Sequence, residues 1–147
     1  MKTGWSFKEG FQFIISPAST EIGHLTGIRF EDIDYSSKED AVDSILERVI
    51  QDTDIAEISF RPIGKHDKCS PGGYKVALVL SDGDYHWYRQ NPDGTWSHKR
   101  GQSEVLNVDA SQKIIYDPEF CDRDYRDKDK SPKDSYDYFA GFFEVVP

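Results

Sequence analysis

The sequence predicts an α+β domain: one main helix in the N-terminal half, packed on a mostly antiparallel sheet of five to seven strands. Three observations predict it. Val42, Ile45, Leu46, Val49 and Ile50 form one apolar stripe at helical spacing. The turn signatures Asp82-Gly83 and Asn91-Pro92-Asp93-Gly94 divide Tyr74–Arg100 into three strand-length runs. The C-terminal run YDYFAGFFEVV is apolar and aromatic enough to demand a central place in a sheet. At 147 residues the chain is read as a single domain, 1–147.

The elements follow in order. Phe11, Phe13 and Ile15 suggest a short strand that SPAST breaks, and 22–34 reads as loop. A helix is expected over Ser37–Gln51, with Ser36 and Glu39 at capping-box spacing. Its stripe leaves Asp43, Glu47, Arg48 and Gln51 toward water. Ile55–Phe60 alternates like a half-buried strand, and KHDKCSPGG is a loop. Strands are expected at Tyr74–Ser81, Tyr85–Gln90 and Thr95–Arg100, then shorter ones near Glu104–Val108 and Lys113–Tyr116. Residues 117–137 are crowded with opposite charges and read as a long mobile acidic loop. Leu46, Val49, Leu78, Trp87 and Phe142 are expected in the core.

Charge and motifs exclude several classes. With 27 acidic and 18 basic residues the net charge is -9, which repels nucleic-acid backbones and anionic membranes. No apolar run approaches the roughly 18 residues of a membrane span, and MKTGWSFKEGFQFIIS lacks the pattern of a signal peptide. The expectation is a soluble cytoplasmic protein with no nucleic-acid and no membrane partner. Phosphate-loop, dinucleotide and nucleophile-elbow motifs are absent, so no cofactor is expected. Zinc-ligand spacings are absent too, and Lys and Arg alternate with Asp122, Asp124, Asp127 and Asp129, unlike a calcium loop. No metal is expected.

The turns fix the register of the three central runs. A two-residue Asp82-Gly83 turn pairs Ser81 with Asp84, Val79 with His86 and Ala77 with Tyr88. A bulged turn at Gly94 pairs Gln90 with Trp96, Tyr88 with His98 and His86 with Arg100. One face then carries Val76, Leu78, Leu80, Tyr85 and Trp87. The other carries Lys75, Ala77, Val79, His86, Tyr88, Gln90, Trp96, His98 and Arg100, with His86 and His98 diagonal neighbours. That second face is either a solvated, polar-decorated surface or the wall of a binding cleft. Tyr88, Gln90, Trp96, His98 and Arg100 are its candidate binding residues.

The stretch HWYRQNPDGTWSHK resembles the histidine hairpin of papain-like cysteine hydrolases of the NlpC/P60 and ubiquitin-specific-peptidase type. In the resemblance His86 matches the catalytic histidine, Gly94 the turn and Trp96 the return-strand aromatic. DYHWYRQ and DGTWSHK also resemble an uncharacterised bacterial family, and together the likeness covers about Tyr74–Asp109. It implies a papain-like fold and a thiol nucleophile paired with the base, with Asn or Asp orienting the ring. Cys69 is the candidate nucleophile, and Asn107 or Asp109 the third member. The pattern departs from the family where it matters: no helix begins at Cys69, and Cys121 follows the histidine. The resemblance therefore implies a bacterial or phage protein in which a non-catalytic, vestigial papain-like module binds an unidentified protein or peptide ligand through the His86/Tyr88/Trp96/His98 face. The alternatives are a cysteine hydrolase or amidase using His86 and Cys69, and a structural or accessory protein.

Overall fold

The computed structural model describes residues 33–99, 105–126 and 131–147. The expected strand at Phe11–Ile15 and the position of Arg100 lie outside them. The fold is α+β: helix α1 (Lys38–Ile55) precedes strands β1 (Ser59–Ile63), β2 (Tyr74–Leu80), β3 (Tyr85–Gln90), β4 (Trp96–Lys99), β5 (Val105–Leu106) and β6 (Tyr138–Val146). The strands form one antiparallel sheet in the order β1-β6-β2-β3-β4-β5. The apolar C-terminal strand is internal, between β1 and β2, as its composition demands. The β1 strand lies at an edge, where Pro62 withholds no ladder bond that a central strand would need. The described helices include none long and apolar enough to cross a membrane.

The α1 helix starts one residue later than its capping signal suggests. Ser37 is the N-cap, its Oγ accepting the Asp40 N–H at 3.3 Å; the Ser36 N–H donates instead to Asp34 Oδ1. The helix also runs four residues past Gln51 and absorbs Ile55, which was expected to open a strand. Its end explains why. The Ile58 N–H donates to the Thr53 carbonyl and the Glu57 N–H to that of Asp54, the paired bonds of a Schellman motif. Glu57 holds the left-handed position that glycine usually fills, with φ 60°, so no glycine marks the stop. Glu57→Gly is expected to raise stability by about 0.5–1 kcal/mol, read as a higher urea midpoint at unchanged slope.

The buried stripe of α1 is rotated from the expected one. Ala41, Ile45, Arg48, Val49, Asp52 and Thr53 are buried, Val42 and Leu46 are half-buried, and Ile50 is exposed. Small Ala41 allows close approach to the sheet, and Thr53 hides its hydroxyl by donating to the Val49 and Ile50 carbonyls. Leu46→Ala is accordingly expected to cost about 1 kcal/mol and Ile45→Ala about 2–4, compared by chemical denaturation.

Both faces of the sheet are buried. On one, α1 covers Val76, Leu78, Leu80, Tyr85, Trp87, Phe143 and Val145. On the other, Ile115, Cys121, Tyr125 and Tyr136 cover Ala77, Val79, Tyr88, Trp96 and Phe142. The alternation along β6 is broken once. Leu78 pairs with Gly141 but Val79 pairs with Phe139, so Ala140 is an extra residue. Gly141 takes φ 143°, a conformation that side chains rarely adopt. The bulge returns Phe139 to the face of Phe142, where their rings lie 5.0 Å apart.

The covering layer of the second face corrects the reading of 117–137 as a mobile loop, for the residues described. The Tyr125 N–H donates to the Asp134 carbonyl and the Tyr136 N–H to that of Arg123, so the two arms run side by side. Arg123 clamps the Tyr136, Pro118 and Glu119 carbonyls. Between them Pro132–Asp134 forms a short 3-10 helix. The expected strand at Lys113–Tyr116 is reduced to one bridge, Val108 with Ile114.

Candidate functional site

The expected register of the central hairpins is present. Val79 pairs with His86 and Ala77 with Tyr88, and Gln90 pairs with Trp96. His86 and His98 therefore share a face and meet: His86 Nε2 lies 2.9 Å from His98 Nδ1. His98 Nε2 lies 2.8 Å from the Val108 carbonyl. A carbonyl only accepts, so His98 Nε2 carries a proton. With both rings neutral, His98 Nδ1 is then the acceptor and His86 Nε2 the donor. One added proton leaves the inner bond unchanged where it enters at His86 Nδ1, and reverses it where it rests on His98 Nδ1, with His98 then donating from both nitrogens. A second would set N–H against N–H. The pair can thus pass one proton along a fixed line, but holds two only by breaking apart.

Aromatic rings enclose this pair. Tyr88 and Tyr136 lie 5.2 and 5.4 Å from the His86 ring, and Tyr125 lies 6.3 Å from His98. The Tyr136 hydroxyl donates to Asp84 Oδ2 at 2.6 Å, closing the end near the Asp82-Gly83 turn. His98 is 1% exposed, Tyr88 0% and Trp96 3%; His86 is also buried and Gln90 is half-buried. This face is neither solvated nor an open cleft: it is a second core. Its burial removes the His86/Tyr88/Trp96/His98 binding surface expected from sequence, because the segments carrying Ile115, Cys121, Tyr125 and Tyr136 lie across it.

The remaining candidates are dispersed. Asn107 is exposed, and its backbone carbonyl accepts the Ile115 N–H. The Asp109 carboxylate is turned onto its own loop, accepting the N–H groups of Ser111, Lys113 and Asp122 at 2.9–3.1 Å. Burial works to raise its pKa, but those donors together hold it below the ordinary carboxylate range. Between these two residues, the Val108 carbonyl reaches His98. The role expected of Asn107 or Asp109 was to orient His86, whereas the backbone oxygen between them reaches His98. Sequence reasoning missed the Asp84–Tyr136 bond as well, since no pattern links residues 52 apart.

Neither thiol is activated. Burial, then the Glu144 carboxylate, pushes Cys69 above the ordinary thiol value. Burial pushes Cys121 up to about 11. Alkylation of the native protein by iodoacetamide is expected to accelerate only above about pH 9. Half-maximal labelling below pH 7 would reveal an activated thiolate and defeat this assignment. Among the described residues no three His, Cys, Asp or Glu side chains converge on a point that could hold a metal ion.

Comparison with known proteins gives a different direction from the histidine hairpin. No protein-family model matches the chain, and no solved structure matches it. A curated relative is 49% identical over 73 residues: "insoluble matrix shell protein 1" of Ruditapes philippinarum. The match covers 49% of this chain and 43% of the relative's length, so the chain spans under half of that protein. This relative overturns the expectation of a bacterial or phage papain-like module, vestigial or active: the chain is similar to a mollusc shell protein.

Proposed function

We propose that this chain is a structural component of an extracellular insoluble matrix, acting as a rigid building block rather than through the histidine face. The observation that carries this reading is the 49% identity over 73 residues to a shell matrix protein. A place outside the cell accordingly replaces the cytoplasmic one expected from sequence. The geometry supports a building block. Both sheet faces are buried, and the acidic layer is stiffened by its own carboxylates. Asp117 accepts the Glu119 N–H, Asp122 that of Asp124, and Asp124 that of Arg126. The Asp124 carboxylate, gripped at two points by the Arg126 guanidinium, is held down at about 2. Two thiols with raised pKa values also suit an oxidising exterior, because neutral thiols react slowly.

Sedimentation with demineralised bivalve shell matrix tests the proposal. The purified chain is expected in the pellet at physiological salt, released only by denaturant. An unrelated globular protein of matched size and net charge should stay in the supernatant. Equal partitioning of the two would refute a matrix role.

A further inference from the structure

We propose that the His86–His98 pair is a proton-operated latch. Neutral or singly charged, it holds the covering layer on the second face of the sheet; charged twice, it drives that layer off. The change is conformational and does not rest on the matrix reading.

The closed form has no place for the second proton. The contact between His86 Nε2 and His98 Nδ1, 2.9 Å, is bridged by one hydrogen in both the neutral and the singly charged pair. Two imidazolium rings put a hydrogen on each of these nitrogens. They also set like charges side by side in a nearly dry space, with His98 1% and His86 8% exposed. Neither ring has room to turn aside. His98 is tied at its other nitrogen to the Val108 carbonyl, and Tyr88 and Tyr136 stand 5.2 and 5.4 Å from the His86 ring. A ring that reaches water must carry Val108 with it or push Tyr136 aside, and both belong to the covering layer.

The charged and titratable groups on this face do not relieve the second charge. On β2 the Lys75 ammonium is held by the Lys65 and Asp67 carbonyls. On β6 the Glu144 carboxylate is engaged by Arg61 and the Ser70 N–H. Burial pushes Tyr88 on β3 and Cys121 in the covering layer up, so both stay neutral. Arg123 is engaged by three carbonyls, and Tyr125 and Tyr136 are neutral phenols at the pH values concerned. At the turn, Asp84 accepts the Tyr85 N–H and the Tyr136 hydroxyl; its one negative charge offsets one imidazolium, not two.

The layer is built to lift as a body. Asp109 gathers the N–H groups of Ser111, Lys113 and Asp122, and those donors hold its pKa below the ordinary carboxylate range, so it stays ionised where imidazoles charge. Arg123 joins the two arms. A backbone bond between the layer and the sheet runs from the Trp96 N–H to the Ile115 carbonyl at 2.9 Å, and lifting breaks it. The face then uncovered carries Ala77, Val79, Tyr88, Trp96 and Phe142. The sign follows from proton counting. The open form, with both rings in water, binds more protons than the closed one, so acidification favours opening.

Amide hydrogen exchange, corrected for the intrinsic rate at each pH, tests the latch on the full chain. Between about pH 7 and about pH 5, protection of the Trp96 N–H is expected to fall about tenfold or more. The amides of Leu78, in the first core, and of Tyr125 and Tyr136, bonded within the layer, should keep theirs. His86→Gln takes no second proton, and its amide either donates to neutral His98 or accepts from charged His98. Its Trp96 protection should not change over the same range. Near-ultraviolet circular dichroism establishes that this variant is folded. If it is not, the imidazole nitrogen shifts of the wild type decide: loss of Trp96 protection is expected with the second proton and not with the first. Unchanged Trp96 protection in the wild type, an equal loss in folded His86→Gln, or a loss shared with Leu78 would overturn the proposal, as would retained protection with both rings charged.

Discussion

Tyr88→Ala is expected to destabilise the protein by about 3–5 kcal/mol, as much as Trp87→Ala on the opposite face. The two residues are neighbours on β3 and point to opposite sides, yet they are 0% and 1% exposed. The Tyr88 ring lies 5.1 Å from His98 and 5.2 Å from His86, inside the cluster closed by Ile115, Cys121 and Tyr125. Its removal would leave a cavity that the β-sheet backbone is too rigid to fill. Urea denaturation of both variants gives the comparison. A loss below about 1 kcal/mol for Tyr88→Ala alone would mean that the second face is wet and its covering layer open.

Asp109→Ala should cost about 3 kcal/mol, with the damage concentrated in the covering layer. One carboxylate organises three backbone N–H groups, and hydrogen bonds to a charged acceptor contribute about 1.5–3 kcal/mol each before the freed donors rehydrate. Asp109→Asn keeps one oxygen for Ser111 and Lys113 but turns an amide toward the Asp122 N–H, so it should lose about half as much. The dependence on acidity has a definite sign. The folded-state pKa of Asp109 is depressed, so its stabilisation is present above the ordinary carboxyl value near pH 4. It is lost as pH falls through the lower folded value. The gap between wild type and Asp109→Asn should therefore narrow on acidification. Hydrogen exchange at Ser111, Lys113 and Asp122 provides the local reading. Unchanged protection in Asp109→Ala would show that the loop is held by packing alone.

The central hairpins were legible because their turns are spelled in residues with few alternatives. Asp82-Gly83 sets β2 against β3, and Asn91–Gly94 sets β3 against β4; the meeting of His86 with His98 follows from register. The end of α1 was not legible, because Glu57 occupies a left-handed position with no glycine to announce it. Nor was the burial of the second face. Lys75, His86, Gln90 and His98 give it a polar composition, and period-two patterning reads such a face as wet. It is dry because a charged, non-periodic segment covers it, held by carboxylate-to-backbone bonds that leave no hydropathy signal. The histidine-hairpin likeness misled for a related reason. Histidine and tryptophan at that spacing fit a packed hairpin as well as a catalytic one, and only the neighbours of the imidazole distinguish them.

The bulge at Ala140–Gly141 has a consequence for how β6 finds its place. The strand before Gly141 and the strand after it are out of phase by one residue, so no rigid slip of β6 along β2 satisfies both halves. Displacing it by one mends neither partnership, because the aromatic rings of each half then point into the wrong core. An uninterrupted YFGFFEVV ribbon, without the extra Ala140, would instead possess several nearly equivalent alignments, with its own copies as well as with β2. The single glycine thus makes the most adhesive segment of the chain self-proofreading. Deletion of Ala140, which restores uniform alternation, is expected to yield a protein that aggregates on refolding at concentrations where the native sequence does not.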